Sequence, residues 1–176
     1  MAKWTIDTTH SEVGFKVKHL VISTVSGKFN TFEGTVESDK NDFTDAKINF
    51  TADVNSITTG NEQRDGHLKS DDFFNAEQFP KLTFSSTSIV KKDDSDYELT
   101  GDLTIRDVTK PITLKVEFGG IEPNFYGNTV AAFELTGKIN RKEYGLKWHA
   151  ATEAGGLVVS DDVKLAITIE ITKANA

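Results

Sequence analysis

The amino-acid sequence predicts an all-β fold, an extended antiparallel barrel of about eight strands with a short helical excursion near residues 60–75. Two observations lead to this prediction. Apolar and polar residues alternate over most of the 176-residue chain, which is the pattern of strands with one buried face. Residues 59–79 interrupt the alternation. The length fits one domain, which we expect to span residues 1–176.

The alternating runs follow one another in chain order, and several exceed the usual strand length of roughly five to six residues. Polar residues on the opposite face indicate antiparallel strands that have one side in water. About eight such strands can hide their apolar faces by closing into a barrel, which also removes the sheet edges. The runs cover residues 13–17, 32–36, 46–54, 82–84, 97–105, 112–118, 131–139 and 163–171, with short additional pieces expected near Trp4 and Leu157.

The segment without alternation has the features of a short helix followed by an apolar cluster. Thr59 and Glu62 have the spacing of a capping box, which predicts a helix start at Thr59. Gly66 limits the helix to a short one because glycine is a poor helix former. Three phenylalanines follow at the end of this polar segment, and such large apolar side chains are expected to be buried. We expect them to lie over one end of the barrel as a lid or plug: Phe73, Phe74 and Phe79.

Composition argues against several classes of function. The chain has no cysteine, which excludes disulfides, zinc–thiolate sites, iron–sulfur clusters and cysteine nucleophiles. Its net charge of −7 argues against nucleic acid and anionic membrane surfaces as partners. No apolar stretch approaches the roughly 20 residues of a membrane span, and none follows Lys3 as in a secretory leader. We therefore expect a cytoplasmic location, the alternative being a periplasmic protein whose leader has been removed.

No motif in the sequence predicts catalysis or a metal site. The four histidines lack the close spacings of metal ligands, and neither a nucleophile elbow nor a phosphate-binding loop occurs. We accordingly expect no metal, no cofactor and no catalytic residue. A lipid-modifying enzyme with His19 or His67 as general base is the less favoured alternative.

Aromatic residues at inward positions favour an internal pore. The chain has 12 phenylalanines and 2 tryptophans, and a long barrel is difficult to fill completely. Gly34, Gly101 and Gly137 face inward and are expected to leave space beside the rings, although plain core packing is the competing interpretation. The predicted pore residues are Phe15, Val17, Phe32, Phe50, Phe73, Phe74, Phe84, Leu103, Phe118, Phe133, Leu135 and Trp148.

Four side chains are candidates for a polar mouth of this pore: His19, Arg64, His67 and Arg141. A diphosphate head group would favour arginine donors, whereas a quinone or an amide would need only a hydrogen bond. For Arg64 the competing interpretation is that it and Asp65 tie the excursion to the barrel rim. A buried Arg141 would need an acidic partner, and Asp65 or a strand carboxylate could supply it.

Six sequence motifs occur in the order known from one protein family. They are W-x-I-D with H-S-x-V-x-F-x-V-x-H in residues 4–19, G-K-F with F-E-G in 27–34, R-D-G-H-L with D-F-F in 64–74, F-P-K-L-T-F in 79–84, G-D-L-T-I with V-T-K-P in 101–111, and N-R with Y-G in 140–145. The sequence therefore resembles the YceI-like proteins over nearly its whole length. This resemblance implies a lipocalin-like barrel that binds long amphiphiles, such as polyisoprenoids, in an internal hydrophobic pore.

The resemblance and the strand pattern together lead to one main functional hypothesis. We expect a non-catalytic carrier of a polyisoprenoid or an isoprenoid quinone, which binds through the methylene groups buried in the pore. Its partner would be the lipid, and members of the resembled family can form homodimers. The alternative is a stress-related binding module that recognises a protein or a glycan by its outer face, with Trp148 as the candidate contact.

Overall fold

The computed structural model describes residues 2–19, 23–123, 126–146 and 159–174. These residues form an antiparallel sheet of 11 strands. The strands are β1 (Ala2–Ile6), β2 (Glu12–His19), β3 (Ser23–Phe29), β4 (Phe32–Ser38), β5 (Lys47–Asp53), β6 (Ile57–Thr58), β7 (Lys81–Lys91), β8 (Asp96–Ile105), β9 (Val108–Pro123), β10 (Thr129–Asn140) and β11 (Val159–Lys173). One α-helix, α1, covers Glu62–Lys69, and 3-10 helices cover Val54–Ser56 and Arg141–Tyr144. No helix among these residues is long and apolar enough to cross a membrane.

The sheet closes on itself through β1. This strand pairs with β4 on one side and with β11 on the other, which gives a closed ring in the order β1–β4–β5–β7–β8–β9–β10–β11. β2 pairs with β11 beyond the end of β1, β3 pairs with β2, and β6 pairs with β3. β1 and β2 thus lie end to end along β11 like one interrupted strand. The prediction of an antiparallel barrel of about eight strands is confirmed.

The barrel has two different ends. The helix end carries residues 54–80 with α1, the turn between β8 and β9, and the 3-10 helix Arg141–Tyr144. The loop end carries the β4–β5 loop (residues 39–46), the first residues of β1 and the last residues of β11. Each end is covered by chain that does not belong to the barrel wall.

The helical excursion is confirmed, but its start was predicted at the wrong residue. Asn61 is the N-cap of α1, since its side-chain oxygen accepts a hydrogen bond from the Arg64 amide at 3.0 Å. Thr59 has a different role: its amide and hydroxyl donate to Asp65 Oδ1 at 2.8 and 2.6 Å. Gly60 follows with a φ of 82°, and this left-handed turn places the helix start beyond Thr59.

Two strands, β3 and β6, were missing from the prediction for reasons visible in their sequences. In β3 the inward position 27 is a glycine, so the run of inward apolar side chains is broken. A Cβ atom on Gly27 would lie 2.8 Å from Phe15 Cε2, because the Phe15 ring occupies that space. β6 has only 2 residues, which is too short for a periodic pattern.

The three inward glycines that were predicted to leave space are instead covered by neighbouring side chains. A Cβ atom added to any of them would come too close to a heavy atom already there, and at Gly101 one such atom is the backbone oxygen of Ser85 at 2.5 Å. The prediction was therefore wrong, because close packing uses the space that each missing side chain leaves. The occupants are Ile6 beside Gly34, Phe84 beside Gly101 and Leu114 beside Gly137.

Buried apolar side chains form two clusters inside the barrel. The larger cluster includes Tyr144 and, from residues 62–79, Phe73. Residues 62–79 form the cover of the helix end, and Phe73 packs this cover against the strands. The smaller cluster lies at the loop end and comprises Trp4, Val36, Phe43, Ala131 and Ile171. Partly buried apolar residues surround both clusters, which indicates that the interior is not completely filled.

Candidate functional site

A cavity of about 240 Å³ lies inside the barrel. Its wall extends from Leu68 and Phe73 at the helix end to Phe43 and Ala46 at the loop end. Among the described residues that line it, only Thr35 and Arg141 have polar side chains. The cavity therefore offers a hydrocarbon surface to any molecule that enters it.

The alternation of the strands is what produces this cavity. Along β11 the side chains at positions 163, 165, 167 and 169 point inward and line the cavity, whereas those at 164, 166 and 168 are exposed. The inward side chains are only half-buried. An inward side chain in a filled barrel would be buried, so their remaining accessible surface faces the cavity.

Of the 11 predicted pore residues that the structure describes, nine are on the cavity wall and two are not. Phe118 lies behind the wall, stacked on Phe133 with ring centroids 5.0 Å apart. Phe32 is buried next to the Phe50 ring, at a centroid distance of 6.1 Å, without lining the cavity. Trp148 lies outside the described residues. The nine on the wall are Phe15, Val17, Phe50, Phe73, Phe74, Phe84, Leu103, Phe133 and Leu135.

Arg141 is the one residue of the predicted polar mouth that lines the cavity, within the part of the chain that the structure describes. It is the first residue of the second 3-10 helix and is only 3% exposed. Its Nε donates to the carbonyl of Ser160 at 2.9 Å and its Nη1 to that of Leu146 at 2.6 Å. Burial lowers the pKa of this guanidinium, and the nearby Asp161 carboxylate partly opposes that shift.

The acidic neighbour of Arg141 is Asp161, with Nη2 and Oδ1 4.0 Å apart; the suggested partner Asp65 instead accepts the hydrogen bonds from Thr59. The guanidinium also lies over the ring of Phe73, 5.7 Å from its centroid. Arg141 thus joins the strands to the cover of the helix end, and it places a positive charge at the edge of an apolar cavity.

Arg64 and His67 lie outside the cavity wall. Arg64 is exposed, and its Nε and Nη2 donate to the hydroxyl and carbonyl oxygens of Thr59 at 2.7 and 2.9 Å. The Nε2 of His67 lies 2.8 Å from Asp72 Oδ2, and its ring meets the ring of Phe73 edge-on at 5.0 Å. These contacts of Arg64 and His67 thus lie within residues 59–79 and hold the excursion together. The side chain of His19 is outside the described part of the structure.

Arg106, in the turn between β8 and β9, was missing from the sequence prediction. Its Nη1 donates to the carbonyls of Asp71 and Phe73, both at 3.0 Å, and its Nη2 to Asp71 Oδ1 at 3.0 Å. The guanidinium also lies 5.5 Å from the centroid of the Phe79 ring. The only signal in the sequence is its position between two predicted strand runs. In the structure it lies in a tight turn with a φ of 55°. Arg106 fastens the cover of the helix end to the barrel.

One cluster in the described residues has the donor types of a metal site. Ligand atoms of Asp7, His10 and Glu170 lie within 4.8 Å of one another. These residues are not on the cavity wall, and His10 is exposed. The Nδ1 of His10 lies 2.8 Å from Asp7 Oδ2, and this hydrogen bond raises the pKa of His10 and lowers that of Asp7. The pair holds the turn between β1 and β2.

Comparison with known proteins places this closed barrel in a family. The sequence matches the family model of the YceI-like domain over residues 4–171. The chain belongs to the YceI-like family. The resemblance inferred from the six motifs is thereby confirmed.

Relatives of this YceI-like chain cover nearly its full length. A UPF0312 protein of Staphylococcus aureus strain USA300 is 41% identical over 173 residues, which are 98% of each chain. The crystal structure of the Campylobacter jejuni YCEI protein has a TM-score of 0.75 at 35% identity, over 96% of each chain. A polyisoprenoid binding domain from Saccharophagus degradans, implicated in plant cell wall breakdown, has a TM-score of 0.69 at 16% identity, over 97% of this chain and 98% of that one. This last likeness concerns the fold.

Proposed function

We propose that the protein is a non-catalytic carrier that holds a long-chain isoprenoid lipid in the barrel. The observation that carries this proposal is the cavity wall, which is formed almost entirely by aliphatic and aromatic side chains from the helix end to the loop end. Each buried methylene group of a lipid tail contributes about 0.8 kcal/mol, so a tail can bind without any specific polar contact. The polyisoprenoid binding domain with the same fold supports an isoprenoid rather than another chain.

The chemistry of the wall favours binding over catalysis. Of the described lining residues, Arg141 alone can carry a charge, and a guanidinium is not a general base because it stays protonated near neutral pH. His67 is paired with Asp72 outside the cavity. The binding module that uses its outer face has less support, because the large apolar side chains exposed on the described surface are Val90 and Tyr126, and single exposed residues of this kind are ordinary.

The helix end is the proposed entrance, and Arg141 the proposed contact of the lipid head group. The cover there consists of residues 62–79, which are outside the barrel wall and partly exposed. Because Arg141 is the charged residue on the described cavity wall, we expect its guanidinium to contact the quinone or hydroxyl oxygen of a lipid head group.

Native mass spectrometry of the purified protein, followed by solvent extraction, tests this proposal first. We expect a prenyl lipid or a quinone to co-purify with the protein. Its mass and chemical analysis would identify the tail and the head group of the ligand. An unliganded mass that stays the same after incubation with prenyl alcohols would contradict the carrier function.

A pair of variants on neighbouring residues of β11 tests whether the ligand occupies the cavity. Ile167 lines the cavity, opposite Leu135 and Val13 on the neighbouring strands, whereas Thr168 faces water. The larger ring in Ile167→Trp displaces about two methylene groups of the tail, which predicts roughly tenfold weaker lipid binding. Thr168→Trp is the matched control and should bind like the parent protein. Equal affinities in both variants would place the lipid elsewhere.

A further inference from the structure

The floor of the cavity at the loop end is formed by a side chain from a loop rather than from a strand. Phe43, in the β4–β5 loop, lines the cavity and is only 2% exposed. Its ring contacts three others, with centroid distances of 5.2 Å to Trp4, 5.3 Å to Phe133 and 5.5 Å to Phe118. From the β4–β5 loop, Phe43 reaches across the end of the barrel to rings on β9 and β10.

The loop holds Phe43 in a conformation that a bulky residue seldom adopts. Its φ is 60°, in the left-handed region, and such strain persists only where the surroundings enforce it. Asp42 Oδ1 accepts hydrogen bonds from the amide and the hydroxyl of Thr44 at 3.1 and 2.8 Å. Asp45 Oδ1 accepts from the buried hydroxyl of Ser38 at 2.5 Å. Two aspartates therefore fix the loop on both sides of Phe43 and direct its ring into the barrel.

Behind Phe43 the loop end is closely packed. Trp4 is 3% exposed, Ala131 0% and Ile171 1%, and of these Trp4 and Ala131 do not reach the cavity. Val36, Ala46 and Ile171 also line this end of the cavity, and Phe43 is the larger side chain that reaches across it to Phe118 and Phe133. A tail that enters at the helix end therefore meets the Phe43 ring.

We propose that Phe43 is the stop that sets the longest tail the cavity accepts, which makes it a residue that determines chain-length specificity. This inference rests on the proposed carrier function. Each added methylene group that is buried tightens binding about fourfold. Affinity should therefore rise with chain length until the tail reaches Phe43, and then level off because further carbons stay outside the cavity.

The experiment measures the affinity of a series of prenyl alcohols of increasing length for the full chain and its variants. In the parent protein we expect a plateau beyond one chain length. In Phe43→Ala the plateau should move to a tail about one isoprene unit longer. With five more carbons buried at about fourfold each, that longer alcohol should bind up to about 1000-fold tighter than it binds the parent. Alcohols shorter than the parent plateau should bind unchanged.

Two further variants keep the test decisive if Phe43→Ala folds poorly. Phe43→Leu removes less volume and should move the plateau in the same direction by a smaller amount. Ala46→Phe adds a ring at the same end of the cavity and should shorten the longest accepted tail. Phe32→Ala is the matched control, since it removes a buried phenylalanine that does not line the cavity and should leave the plateau in place.

Three outcomes separate this inference from its alternatives. A plateau that stays at the same chain length in folded Phe43→Leu and Ala46→Phe would overturn it. Faster association of every alcohol with Phe43→Ala, regardless of length, would also overturn it, because Phe43 would then guard an entrance at the loop end. If no prenyl alcohol binds the parent protein or any variant, the carrier function itself is wrong.

Discussion

Replacing Arg106 by glutamine should loosen the cover of the helix end while leaving the barrel intact. The guanidinium is the group that connects the carbonyls of Asp71 and Phe73 to the turn between β8 and β9. The side chain is only 18% exposed, so water replaces these bonds poorly. Glutamine is shorter and neutral and cannot donate to both carbonyls from the same position.

The size of the effect follows from the contacts that are lost. A hydrogen bond from a charged donor contributes about 1.5–3 kcal/mol, and part of the contribution of the two carbonyl contacts should survive in the glutamine variant. The ion pair with Asp71 adds little because that carboxylate is 80% exposed. The cation–π contact with Phe79 adds about 0.5 kcal/mol or more. A net loss of about 2 kcal/mol for opening the cover corresponds to a roughly thirtyfold larger open population.

Native-state hydrogen exchange measures this opening directly. Three amides of the cover are hydrogen-bonded within it: Asn75 to the Ser70 carbonyl, Ala76 to that of Lys69 and Phe79 to that of Asn75, each at 2.8 Å. In Arg106→Gln these amides should exchange about thirtyfold faster, while those of β10 and β11 keep their rates.

Arg64→Gln is the matched control for this experiment. Arg64 belongs to the same cover, but its side-chain bonds go to Thr59 and not to residues 70–79. The Asn75, Ala76 and Phe79 amides should therefore keep their protection. Unchanged protection in Arg106→Gln, or an equal loss in both variants, would refute the assignment of Arg106 as the anchor of the cover.

Two further predictions concern packing and pH. Gly101→Ala should destabilise the protein by about 1–3 kcal/mol in denaturant unfolding because the added methyl meets Ser85 O and the Phe84 ring. Gly66→Ala should be neutral or slightly stabilising, since beyond the backbone of its own helix nothing lies within 4 Å of the added methyl. Equal effects of the two substitutions would contradict the packing argument. The hydrogen bond with Asp7 should place the pKa of His10 above its ordinary 6.5 in an NMR titration. The stabilisation that comes from the raised pKa of His10 is complete below pH 6.5 and disappears as the pH rises through that raised pKa. The stabilisation that comes from the lowered pKa of Asp7 disappears as the pH falls through that lowered pKa. Asp7→Asn should return the His10 titration toward 6.5, and a titration that does not move would disprove the pairing.

The strand pattern made the barrel predictable because inward and outward faces alternate at fixed positions of the backbone. This rule alone predicted that Ile167 faces inward and Thr168 outward. The interruption of the alternation at residues 59–79 likewise predicted the helical excursion. β3 was not predicted because Gly27 lacks the inward apolar side chain on which the rule depends. The three inward glycines misled for the same reason, since a missing side chain gives no information about which neighbour fills its place.

The sequence by itself determined the antiparallel barrel, its inward apolar residues and its family, because periodicity and ordered motifs are local properties of the chain. It could not show which of Arg64, Arg106 and Arg141 lies at the cavity, because the three side chains have the same chemistry. Only the packing of distant segments puts Arg141 at the cavity, Arg106 on the cover and Arg64 on Thr59. The floor of the cavity is also a tertiary result, since Phe43 belongs to no strand and reaches the barrel through its loop. The position of a loop side chain in the fold depends on contacts between elements far apart in sequence, and no local sequence pattern predicts such contacts.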